Sequence, residues 1–219
     1  MIFAKIDFIN LLPFHIFIKK NIQSSQLKAS IEYKKSYPSA INKKFKKRVV
    51  DSAFISSIAS RNEKSLDFGI VAKDEVLSVL LISGVQQDDY QSDTSNALAK
   101  VLNLKGKVII GDKALNFYHE NKDLIKIDLA KQWKEKYNLP FVFAVLCFNA
   151  NKKALDKLTK NFNKKHIKIP QYILEKYSIR SNVSKKHILE YLEKIHYKLE
   201  IKEKRSLKLF LKLTKEKGL

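Results

Sequence analysis

A chain of 219 residues with 45% hydrophobic side chains is long enough to bury a core, as one large domain or two small ones. Its longest apolar run, residues 139–148, is far short of the eighteen or so residues that cross a bilayer, and Lys5 and Asp7 interrupt the apolar start, so neither a membrane span nor a signal peptide is expected. The net charge of +21 raises the question of nucleic acid, but only Arg48, Arg61, Arg180 and Arg205 are arginines and the lysines are scattered, which reads as a solvated surface that attracts a small anion. The single cysteine, Cys147, excludes an internal disulfide and agrees with a cytoplasmic, reducing location.

Residues 2–6 read as a short apolar strand running into Asp7-Phe8-Ile9-Asn10 and then Leu11-Leu12-Pro13, where proline suits the first turn of a helix. Asn10 therefore stands at a strand end. Ligands gather beyond the carboxyl ends of strands in α/β sheets, so its amide is a candidate contact, with a plain turn or cap asparagine as the alternative. Residues 31–37 alternate as a strand, Pro38 opens a lysine-rich helix to about Lys47, and residues 49–55 form a second strand ending in Ser56-Ser57. A right-handed crossover makes such strands parallel, which brings Asn10 and the serine pair to one edge of the sheet. Ser56 and Ser57 precede Ile58 and Ala59 as candidate helix-opening donors.

After the hydrophilic loop 61–64, residues 66–72 and 76–82 are apolar runs separated by Lys73-Asp74-Glu75, read as a hairpin or extended ribbon, with Ser78 interrupting the second. The polar segment 84–92 suits a crossing between lobes. Asp93, Thr94 and Ser95 then stand just before Ala97, Leu98, Val101 and Leu102, whose spacing marks one helix face. A helix N-terminus has unpaired N–H groups and the positive pole of the dipole, which suit a carboxylate or phosphate; ordinary capping is the plainer reading.

Residues 108–110 read as a brief strand, Gly111-Asp112 as a strand-to-helix junction, and residues 129–137 as a helix carrying Trp133. Residues 139–145, with Pro140 at the mouth, read as a buried strand of a second lobe. From Lys152 on the chain reads as amphipathic helices, with Ile188, Leu189, Leu192 and Ile195 on one face and Leu207, Phe210, Leu211 and Leu213 on another. There is no HExxH, no glycine-rich phosphate loop and no paired cysteine, and His15, His119, His166, His187 and His196 lie far apart, so neither metal nor cofactor is expected.

Six motifs in order resemble the chorismate dehydratase family of the futalosine route to menaquinone, itself related to type II periplasmic solute-binding proteins. They are Asn10-Leu11-Leu12-Pro13, Val50-Asp51-Ser52-Ala53-Phe54-Ile55-Ser56-Ser57, Leu77-Ser78-Val79-Leu80-Leu81-Ile82-Ser83, Asp93-Thr94-Ser95-Asn96-Ala97-Leu98, Ile110-Gly111-Asp112-Lys113-Ala114-Leu115 and Leu139-Pro140-Phe141-Val142-Phe143-Ala144. Each motif alone is weak, but their order over most of the chain is specific. Two details depart from the family: the connection between Leu102 and Val108 is short, and Leu146-Cys147 stand where a tryptophan is common.

The resemblance implies an α/β, two-lobed, type II periplasmic-binding-protein-like fold with the ligand cleft between the lobes. Lobe I would be residues 1–84 plus about 176–219, and lobe II about 85–175. The implied reaction is loss of water from chorismate, a small anionic substrate, to give 3-[(1-carboxyvinyl)oxy]benzoate without a cofactor. Ser56, Ser57, Thr94 and Ser95 are expected to anchor the two carboxylates. No motif offers a plain base, so a substrate carboxylate is expected to take the proton while Asn10 orients it, with Asp112 as second choice for a catalytic role. The alternatives are the sister lyase that forms 1,4-dihydroxy-6-naphthoate, whose histidine is replaced here by Gly111-Asp112, and a non-catalytic solute-binding protein for a small carboxylate.

Overall fold

The computed structural model describes residues 2–21, 35–162 and 167–219. Strand β1 (Phe3–Ala4) is followed by a 3-10 turn, Ile9–Leu11, that runs directly into helix α1 (Leu12–Asn21) with Pro13 in its first turn. Every residue of α1 from Leu12 to Ile18 is buried, since apolar side chains lie all round this stretch and His15 is its one polar member. Pro38 is the first residue of α2 (Pro38–Lys46), which turns Ile41, Asn42 and Phe45 inward and its lysines toward solvent and the negative helix end. Of the strand expected over 31–37, residues 31–34 lie outside the described residues; Ser36 makes a parallel bridge to Ile6.

Strand β2 (Ser52–Ser56) is buried throughout. The helix expected after Ser56-Ser57 is instead a set of turns over 57–62, in which Ser60 N–H bonds the carbonyls of Ser56 and Ser57. Then come β3 (Ser65–Ala72), β4 (Val79–Ile82), α3 (Asp93–Val101), β5 (Lys107–Ile110), α4 (Gly111–Glu120), β6 (Lys126–Asp128) and α5 (Leu129–Tyr137). The chain ends with β7 (Phe141–Phe148), α6 (Lys152–Asn161), α7 (Gln171–Ser181), α8 (Lys185–Lys194), β8 (Ile195–Lys198) and α9 (Ile201–Glu216).

Among the described residues the strands form two sheets, one in the order β1-β2-β7-β3-β8 and one in the order β5-β4-β6. β1 and β2 are parallel, and the other pairings are antiparallel. This arrangement corrects three readings. The runs 66–72 and 76–82 are not a hairpin, because β3 and β4 belong to different sheets. β7 lies at the centre of the sheet that holds β1 and β2 rather than in a second lobe. Ile195 opens a strand at the sheet edge rather than continuing an amphipathic helix, and Leu189 on that expected apolar face is exposed. The chain thus changes sheet between Ala72 and Val79, ahead of the expected crossing at 84–92, and returns between Asp128 and Phe141.

Aromatic rings fill both faces of the larger sheet. Phe14 sits 5.2 Å from Phe54, 5.2 Å from Phe68 and 5.3 Å from Phe162, mostly edge to face. On α5, Trp133 packs on Phe141 and Phe210, and its Nε1–H donates to Ser206 Oγ on α9 at 2.9 Å. At Gly69 β3 shifts register against β7, and a Cβ there would lie 2.2 Å from the Ala144 carbonyl, so only glycine allows this approach.

Candidate active site

The strand register builds the floor of a cleft. Ser56 pairs with Ala144, and Ala144 pairs with Ile70, so the three stand abreast across β2, β7 and β3 and all line one cavity. The opposite wall comes from the smaller sheet, where Val79 and Ile110 are paired neighbours and both face the same space. The first turn of α3 adds Ser92 and Ser95, and the 3-10 turn adds Phe8 and Asn10. The space between these walls, counted with its open mouth and the solvent in it, is about 540 Å³. Its lining is mainly apolar, with hydroxyls and one amide as polar groups and no charged side chain among the described residues.

Of the sequence-predicted residues, Asn10, Ser56 and Ser95 line the cavity, and Ser57, Thr94 and Asp112 do not. Ser57 faces the sheet, where its hydroxyl donates to the Val142 carbonyl at 2.5 Å. Thr94 Oγ1 accepts the Ile58 N–H at 3.1 Å, tying α3 to the turn after β2. These two hydroxyls join elements of the fold and lie outside the cavity lining. Asn10 Oδ1 is buried without a hydrogen-bond partner among the described residues, while the Asn10 backbone carbonyl accepts the Tyr197 hydroxyl at 2.5 Å.

Ser56 Oγ accepts Asn42 Nδ2–H at 2.7 Å, and Ser56 N–H donates to Asn42 Oδ1 at 3.2 Å. Across the cleft, Ser92 is the N-cap of α3. It accepts Ser95 N–H at 3.1 Å and donates to Ser95 Oγ at 2.9 Å. The N–H groups of Asp93 and Thr94 lie in this open first turn and have no intrahelical acceptor. The turn is held in place by Asn96, whose side chain clamps both the N–H and the carbonyl of Asp89 at 2.8 Å. Asp89 in turn accepts Ile110 N–H at 3.2 Å and pairs with Lys113 at 2.6 Å.

Asp112 opens α4 just behind the cavity. Its Oδ1 accepts Ile9 N–H at 3.0 Å and its Oδ2 meets Arg180 Nη2 at 2.5 Å, while Arg180 Nη1 reaches Asp7 at 3.0 Å. Burial pushes the Asp112 carboxyl above its ordinary value, against the Ile9 N–H and Arg180, which pull it down. Burial also pushes Asp7 up, but there Lys5 and Arg180 prevail and hold it at about 2. Asp112 therefore grips the turn that presents Asn10, and its carboxyl is spent on that grip. Gly111, with φ of +67°, packs against the Phe8 ring, where a Cβ would lie 2.9 Å away.

Sequence reading missed Ser78, Ser92 and Asn42. Ser78 lines the cavity and shares a 2.9 Å hydrogen bond with the buried Tyr191 hydroxyl, and its signal was the polar break in an apolar strand. Ser92 was recognisable three residues before Ser95 as a cap. Asn42 carried no signal beyond being polar beside Ile41 on a face shared with Phe45. No three His, Cys, Asp or Glu side chains come together as a metal-binding group among the described residues. No helix among the described residues is long and apolar enough to cross a membrane.

Residues 90–216 match the family described as menaquinone biosynthesis. The chain is 47% identical over 219 residues to the chorismate dehydratase of Campylobacter jejuni, covering 98% of each. Among solved structures, a protein of Archaeoglobus fulgidus superposes with a TM-score of 0.62 at 12% identity, covering 99% of this chain and 97% of that one, which is a likeness of fold alone. A Candida albicans protein described as having the generic periplasmic binding protein fold gives a TM-score of 0.46 at 16% identity, covering 98% of this chain and 89% of that one, a score too low to bear on the fold. By its near-full-length identity and its family match, the chain belongs to the chorismate dehydratase family of menaquinone biosynthesis.

Proposed function

We propose that the protein removes water from chorismate to give 3-[(1-carboxyvinyl)oxy]benzoate, as a cofactor-independent cytoplasmic enzyme of the futalosine route. The observation that carries this reading is the 47% identity to a chorismate dehydratase over 98% of both chains. The two sheets correspond in this proposal to the two lobes of a type II periplasmic-binding-protein-like fold. Lobe I then runs to Ala72 and resumes at Phe141, and lobe II holds β4 to β6.

In the elimination, a proton leaves the ring carbon that bears the enolpyruvyl ether and hydroxide leaves the neighbouring carbon. The two combine as water, and the ring becomes aromatic. The cleft supports such a step by placement more than by acid or base strength. Its apolar walls suit the ring, and a carboxylate brought into them needs donors to offset its lost hydration. Ser56 and Ser95 supply hydroxyls from opposite walls, and the open first turn of α3 adds N–H groups with the positive helix end. No carboxylate or imidazole lines the cavity among the described residues, which supports a substrate carboxylate as proton acceptor with Asn10 orienting it. Asp112 acts through Ile9 and the turn rather than on substrate.

The test is to mix purified protein with chorismate and follow the diene absorbance together with product mass. Water loss faster than in buffer is expected, and a rate equal to buffer overturns the reading.

A further inference from the structure

The Ser56 hydroxyl is one of the few polar groups on the cleft floor, and a residue that does not itself line the cleft sets its direction. Asn42, only 4% exposed on α2, uses both ends of its amide on Ser56: Nδ2–H donates to Oγ at 2.7 Å, and Oδ1 accepts the backbone N–H at 3.2 Å. A flipped amide would set NH₂ against the Ser56 backbone N–H, donor against donor, so the backbone bond fixes which end faces Oγ. A serine hydroxyl has one proton and two lone pairs. With Asn42 donating into one lone pair, the proton cannot point back at Asn42 and is left to the cleft. The facing wall repeats the arrangement, since Ser92 donates to Ser95 Oγ and leaves the Ser95 proton for the cavity.

We propose that Asn42 is a positioning residue that commits the Ser56 proton to the cleft and so makes the floor of the site select a carboxylate. The proposal rests on the reading that the cleft takes chorismate, a cyclic diene that carries carboxylates. A hydrogen bond from Ser56 to a charged acceptor contributes on the order of tenfold in affinity, and losing its direction forfeits part of that.

A double-mutant cycle tests it, with Asn42→Leu and Ser56→Ala made singly and together. The readouts are KM and kcat for chorismate and the calorimetric Kd for 3-hydroxybenzoate, a carboxylate probe that needs no turnover. Asn42→Leu is expected to raise KM and Kd several-fold, up to about tenfold, with kcat within about twofold. Added to Ser56→Ala it should raise them no further, because Asn42 acts only through Ser56. Multiplying effects, which a merely structural role produces in both backgrounds, overturn the proposal, as does an unchanged KM and Kd in Asn42→Leu. Should Asn42→Leu fail to fold, Asn42→Ala, which leaves room for water, enters the same cycle. No probe binding by the wild-type protein also overturns the proposal, whereas absent turnover with an intact coupling in Kd overturns only the chorismate reading.

Discussion

Asn10 stands beside the cleft with its backbone carbonyl held by Tyr197 and its turn by Asp112, and the Nδ2–H end of its amide is the end that can donate to a carboxylate. A group so fixed before substrate arrives needs little reorganisation during reaction. Asn10→Ala is expected to lower kcat by about 10² to 10³ with the thermal midpoint little changed, by analogy with removal of one preorganised polar group. Steady-state turnover checks this, and near-normal turnover would remove Asn10 from the mechanism. Thr94 stands one residue from Ser95 yet belongs to the framework. Thr94→Val leaves the Ile58 N–H without its acceptor, a loss of about 1–3 kcal/mol in denaturant unfolding with KM unchanged. A raised KM at full stability would instead return Thr94 to the substrate.

At the scale of elements, helix α9 is pinned to α5 through a polar bond inside an aromatic cluster. Ser206→Ala keeps the packing but strands the Trp133 Nε1–H, and about 1–3 kcal/mol of stability should be lost in chemical denaturation, with a matching change in tryptophan fluorescence. Helices α4 and α8 meet through His119 and His187, stacked with ring centres 3.7 Å apart and planes 4° from parallel. Burial first and then His187 push His119 below its ordinary value, with Glu190 pulling it up and Lys122, the smallest influence, pushing it down. A depressed imidazole favours the neutral form in the folded state, so its contribution is full above about pH 6.5 and is lost as pH falls below that toward the folded value. The thermal midpoint should therefore drop between pH 7 and pH 5, and by less in His119→Gln. An equal drop in both proteins would assign the acid sensitivity elsewhere.

For the whole molecule, a net charge of +21 accompanies a cleft whose lining is uncharged among the described residues. Long-range attraction of a dianion then acts on encounter rather than on chemistry. Raising sodium chloride from about 0.02 to about 0.3 M should lower kcat/KM several-fold and leave kcat nearly constant, because the screening length shrinks while buried contacts stay in place. A salt-independent kcat/KM would show that the lysines serve only as a solvated surface.

Features governed by near neighbours were legible in the residues. Pro38 at the start of α2, the hydroxyl-rich opening of α3 and the helix carrying Trp133 follow from proline geometry, capping and periodicity. The six ordered motifs likewise pointed to the family that the 47% relative shows. Sheet membership was not legible, because an apolar run has the same pattern whichever partner covers it: β3 and β4 part to different sheets, and β7 joins the first. The tertiary structure also decided the use of each hydroxyl. Ser56 and Ser95 reach the cleft while Ser57 and Thr94 bond the framework, since adjacent side chains point to different sides of the backbone and only the packed partners decide which side faces the cavity.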